Sequence, residues 1–154
     1  MSKARSKARR NAVQALYQWQ LTGADVSAIE EQFLVEHDME NVDVDYFREL
    51  LHEVPLHLHE LDDHIIEYLD RPIDEVDPVE RAILRMSTYE LELRLDVPYK
   101  VVINEGVEMA KIFGAEHGHK YVNGILDRVA HKLRSVEIKA KAKSKTESTA
   151  KKRK

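Results

Sequence analysis

Apolar residues recur along most of the chain at three- and four-residue spacing, a period that predicts helices rather than strands. Ala8, Ala12, Leu16 and Trp19 mark one face of a first helix over about Lys3 to Thr22, with Gly23 placed to end it. A second helix, about Ser27 to His37, packs Ile29, Phe33 and Leu34, with Ser27 as N-cap and Glu30 closing a capping box. The third, about Asp45 to Leu69, buries Phe47, Leu50, Leu51, Val54, Leu58, Leu61, Ile65 and Leu69. Pro55 lies inside it and predicts a kink or a split, because proline removes an amide donor and crowds the preceding turn.

Pro72 and Pro78 then break the pattern, and Asp77-Pro78 reads as the N-cap and first position of a fourth helix running to Leu95. The fifth spans about Tyr99 to Phe113, closed by Gly114, and the sixth about His119 to Arg134. These elements predict an all-α bundle of about six helices in residues 1–135, arranged as two three-helix halves, about 1–70 and 77–135. Residues 136–154 have almost nothing to bury and predict a disordered basic tail. Asn104, Asn123 and Gly124 interrupt apolar stretches, which predicts buried amide hydrogen bonds at the asparagines and close helix packing at the glycine.

Charge changes the picture, because a net −4 hides a division along the chain. Residues 1–10 hold five Lys/Arg and no acid, residues 136–154 hold eight against two Glu, and the body between them stands at −15. Basic ends on an acidic body point to a polyanionic partner at the ends and a basic partner on the body. With no cysteine, disulfides and thiolate metal sites are excluded. No apolar run approaches the roughly 18 residues that span a bilayer, and Asn11, Gln14, Gln18 and Gln20 interrupt any secretory core, so a cytoplasmic protein with no membrane partner is expected. The acid-free start has the look of a mitochondrial presequence, but its apolar face runs on into the body.

On a helix, Lys3, Lys7, Arg10, Gln14 and Tyr17 share one stripe, and Arg5 and Arg9 widen it. Cations hold phosphates, an amide reads a base edge and a ring stacks an unpaired base, a set suited to single-stranded RNA. Placing cations at a helix N-terminus opposes the macrodipole, a cost of ~0.3–1 kcal/mol per site that a partner would offset. The rival readings are a helical protein-interaction module with no direct RNA role and a metal-dependent enzyme around His57, Glu60 and His64, which share a helical face. No phosphate-binding loop, dinucleotide fingerprint or nucleophile elbow is present, so no catalytic residue, cofactor or metal is expected.

The segments "RNAVQALYQWQL", "DVDYFRELL", "DVPYKVVINEGVEMAKIFGAE" and "HKYVNGILDRVA" resemble the NusB family of transcription antitermination factors over about residues 5–135. The resemblance implies an all-helical, noncatalytic protein that pairs with a ribosomal small-subunit protein, NusE. The pair binds boxA RNA and helps the RNA polymerase antitermination complex read through terminators, notably in ribosomal RNA operons. It also implies an RNA surface on Arg5, Lys7 and Arg9 joined by Phe113, Lys120 and Tyr121, and a partner surface at Tyr17, Glu80 and Arg85. His117 stands where an acid often follows "GAE", and Ser6 and Arg10 also depart from the family in charge, all making the surface more positive or less negative.

Overall fold

The computed structural model describes residues 2–153, with side chains as far as residue 145. The described residues are helical without strands: α1 Lys3–Thr22, α2 Val26–Glu36, α3 Val44–Leu56, α4 Leu58–Ile66, α5 Pro78–Leu93, α6 Tyr99–Phe113, α7 Gly118–Leu133 and α8 Ser135–Arg153, with a 3-10 turn at Ile73–Glu75. About six helices were expected. The count rises to eight among the described residues because Pro55 divides the long third helix and because the tail is itself helical.

Most boundaries follow from local chemistry. Gly23 takes a left-handed φ of 65° and donates its N–H to Trp19, ending α1. Asp77 accepts from the amides of Val79 and Glu80, and Pro78 occupies the first turn of α5. Between α3 and α4 the chain turns at His57, two residues beyond Pro55. The start of α2 is a correction: Asp25, not Ser27, is its N-cap, and neither makes the expected capping box. Starting there lets both Val26 and Ile29 pack on the core. The helical tail departs from the expected disorder. Its alanines and lysines are good helix formers, and Glu137 ties its first turn to Arg134, at 2.6 Å, and to Lys141. Residue 154 lies outside the described residues.

At the centre runs α5, buried on every side from Ala82 to Glu90 and packed against α1, α3, α4, α6 and α7. The buried side chains of the two expected halves form one cluster around it. Where polar groups fall on this helix they must find partners inside. Arg134 also closes its C-terminal end, donating to the carbonyls of Leu91, Glu90 and Arg94.

The buried-amide and tight-glycine expectations are corrected. Asn104, Asn123 and Gly124 are all exposed, and a Cβ on Gly124 would meet open space. Tight packing belongs instead to Gly106 on α6, where a Cβ would fall 2.8 Å from Leu126 Cδ1 and 3.1 Å from Ser87 Oγ. Gly124→Ala is therefore expected to raise stability by about 1 kcal/mol, the helix-propensity gain. Gly106→Ala is expected to lose that gain to overpacking and come out destabilised. Parallel thermal unfolding of the two variants checks the opposite signs.

The histidines of the metal reading meet carboxylates and backbone across the α4 contacts. His64 Nε2 lies 3.2 Å from Glu92 Oε2, and His57 Nδ1 lies 3.0 Å from the Glu53 carbonyl. Among the described residues no group of three such side chains is arranged to hold a metal ion. Burial, and then the neighbouring Glu60, push the Glu92 carboxyl up to about 7. A carboxyl raised on folding contributes stability that is fully present below its unfolded pKa and is lost as pH climbs through the folded value. Glu92→Gln mimics the protonated form, so it should raise the thermal midpoint at pH 8 by about 1 kcal/mol equivalent and by less at pH 5.

Candidate nucleic-acid interface

The apolar stripe of α1 decides which of its cations reach water. Ala8, Ala12, Val13, Ala15 and Leu16 are buried, and the opposite stripe leaves Lys3, Lys7 and Arg10 exposed. Ser2 caps the helix through Arg5 N, and no acid stands in the first turn to offset the cations. Gln14 is half-buried and donates to the Arg10 carbonyl, and Tyr17 is 36% exposed. The stripe of charge, amide and ring is thus assembled along one helix.

Arg9 is the main correction to the expected RNA surface. It is 1% exposed, and its Nε and Nη2 donate to the Glu90 carboxylate at 2.9 Å each. Tyr46 donates to the same carboxylate at 2.6 Å, while Arg9 Nη1 lies 3.6 Å from Glu105. Ser6 Oγ donates to Glu105 at 2.5 Å, so α1 is pinned to α3, α5 and α6 by one polar cluster. Burial works to lower the Arg9 pKa, but the hydrogen bond and charge of Glu90 outweigh it and the net shift is upward. Tyr46 is pushed up as well, by burial and then by Glu90. Such a guanidinium cannot reach RNA. The signal was present in the sequence: Arg9, Val13 and Leu16 follow i, i+4, i+7 on the buried face, and Glu90 and Glu105 lie inside apolar helix faces.

Arg5 is intermediate. It sits 4.4 Å over the Tyr46 ring and 3.8 Å from both Asp43 and Asp96, with a third of its side chain exposed. Phe113, half-buried at the end of α6, lines a groove of about 490 Å³ with Gln14, Tyr17, Leu21 and His37. The structure therefore brings Phe113 to the Gln14–Tyr17 end of the α1 stripe. Lys120 is exposed in the first turn of α7. Tyr121 presents less of its ring than expected: Arg71 lies 5.0 Å over it and its hydroxyl donates to Asp70. Burial, then Asp70, raise its pKa.

Of the residues expected on the partner surface, Tyr17 is exposed while Glu80 and Arg85 are largely buried. Glu80 is 9% exposed beneath Gly118, where a Cβ would fall 2.5 Å from its Oε1, and burial raises its pKa, with Asp77 adding to the shift. Arg85 is 8% exposed, bidentate to Asp62 at 2.8 and 2.9 Å and donating to Gln20. Both lie on the central helix, which burial from all sides turns into a structural element. His117 is exposed with φ 69°, at the N-cap of α7.

Residues 6–131 match the model of the NusB family. The chain is 56% identical over 142 residues to the transcription antitermination protein NusB of Nitrosococcus oceani, covering 92% of this chain and 95% of that protein. It is 58% identical over 130 residues to its namesake from Shewanella halifaxensis, covering 84% and 96% respectively. Among solved structures, T. maritima NusB aligns with a TM-score of 0.73 at 33% identity, over 84% of this chain and 92% of that one. An antitermination factor NusB solved with NusE and dsRNA aligns with a TM-score of 0.75 at 27% identity, over 86% and 99%.

Proposed function

The chain belongs to the NusB family, and from that membership we propose a noncatalytic antitermination factor that binds boxA-type single-stranded RNA along α1, together with the ribosomal protein NusE. The proposal extends to its place in the RNA polymerase antitermination complex, with ribosomal RNA operons as the notable target. The observation that carries the RNA reading is the exposed row Lys3, Lys7 and Arg10, continued by Gln14, Tyr17 and Phe113. Phosphate contacts from the three cations supply affinity, and the rings offer stacking to unpaired bases. Lys120 extends the cationic face, and Tyr17 belongs to both the ring set and the protein-partner edge.

The neighbour solved with NusE and dsRNA favours a second reading, in which the same cations meet duplex phosphates. Fluorescence anisotropy of the full chain against a labelled boxA-type single strand and against the matching duplex, with and without NusE, separates the two. Three single-strand contacts give a slope near −2 in log affinity against log salt, roughly a 20-fold loss between 50 and 200 mM. Tighter binding of the duplex moves the assignment to the second reading. Retained NusE binding with no RNA binding at low salt leaves only a protein-interaction module.

A further inference from the structure

The cations of α1 begin at the end of a helix that has little of its own to hold it. The first amides of a helix lack partners within it, terminal turns fray, and cations placed there oppose the helix dipole with no acid in the first turn to offset them. Lys3, Lys7 and Arg10 are exposed, and among the described residues none of the three side chains meets an acid. Whatever fixes the row must therefore come from the residues between them.

Those residues are tied to the body. The Ala4 carbonyl accepts from the Asp43 amide at 3.1 Å, which joins the first turn to the start of α3, and Arg5 lies over the Tyr46 ring. Ser6 reaches the other way, to α6. Its Oγ lies 2.5 Å from Glu105 Oε1 and 3.4 Å from the Ser2 carbonyl, and a hydroxyl has a single hydrogen, so the short bond to the carboxylate takes it. Glu105 is itself 6% exposed and faces Arg9 Nη1 at 3.6 Å. Among the described residues this is the one side-chain hydrogen bond from residues 3–8 to another helix, and it falls beside Lys7 and one turn before Arg10. The deeper anchors of α1, Arg9 on Glu90 and the apolar face from Ala8 onward, lie further along, so the opening turns can loosen while the bundle stays folded.

We propose that Ser6 is a positioning residue for RNA: through Glu105 it holds the first two turns of α1 against α6 and presents Lys3, Lys7 and Arg10 as a fixed row, without touching the strand itself. This rests on the reading of α1 as an RNA surface. A row already in place binds without the cost of ordering it, and when the turns come loose the apparent affinity falls with the fraction that remains docked.

The test is Ser6→Ala in the full chain. Alanine is the better helix former, so a looser opening turn in this variant cannot come from a weaker helix. Losing one bond to a carboxylate should speed amide exchange at Ser6 and at Asp43, whose amide is bonded to Ala4, by roughly 10-fold. The thermal midpoint should stay near that of wild type, because the Arg9 pair with Glu90 is untouched. Anisotropy with a labelled boxA-type strand should show affinity about 3-fold weaker at an unchanged salt slope, since every phosphate contact is regained in the complex. Saturating RNA should return the Asp43 amide to wild-type protection, and Ser6→Thr, which keeps the hydroxyl, should restore both readouts. Wild-type affinity in Ser6→Ala overturns the proposal, as does an altered salt slope or an Asp43 amide that stays fast in the complex. A Lys7→Glu/Arg10→Glu variant measured beside it separates the two readings. Normal RNA binding there removes α1 as the surface, whereas a loss there with normal affinity in Ser6→Ala removes only the positioning role of Ser6.

Discussion

Replacing Arg9 by methionine is expected to destabilise the fold by about 3–5 kcal/mol, because it leaves Glu90, itself 1% exposed, as a buried charge with only Tyr46 donating to it. The thermal midpoint should fall by roughly 10 °C or more. Replacing both partners, Arg9→Met with Glu90→Leu, should recover much of the loss, since an apolar pair of similar volume carries no desolvation cost. Thermal unfolding of the two single variants and the double forms the cycle. At a temperature where Arg9→Met remains folded, its affinity for RNA should match wild type. A variant of normal stability that no longer bound RNA would place Arg9 back on the nucleic-acid surface.

Charge reversal of Lys7 and Arg10 should do the opposite, weakening binding without touching the fold. Both side chains are exposed on the wet stripe of α1, so the stability change should stay within about 0.5 kcal/mol. Two lost phosphate contacts shorten the salt slope by about 1.4, and the two introduced carboxylates add repulsion, for a combined loss of roughly 100-fold at 50 mM salt. Anisotropy at several salt concentrations gives both quantities. Wild-type affinity in this variant would leave the exposed row of α1 without a nucleic-acid role.

The two predictions differ because Arg9 and Arg10 are neighbours in sequence and strangers in space. A rotation of 100° per residue carries one guanidinium onto Glu90 and leaves the other in water. Reading charge density alone merged them into one patch. Reading period would have separated Arg9, which shares the buried face with Val13 and Leu16. Glu80 and Arg85 were harder to place, since α5 carries charged residues at positions that only its five packing partners bury.

The helices from α1 to α7, the split beyond Pro55, the Gly23 and Asp77 caps and the basic opening of α1 were determined by the chain alone, because each depends on period, φ preference or hydrogen bonding within a few residues. Other features were decided only by tertiary structure. They include the burial of Arg9 on Glu90, the exposure of Asn104, Asn123 and Gly124, and the close approach at Gly106. Each depends on which faces of distant helices come into contact, and that choice minimises exposed apolar surface over the whole bundle rather than along any one segment.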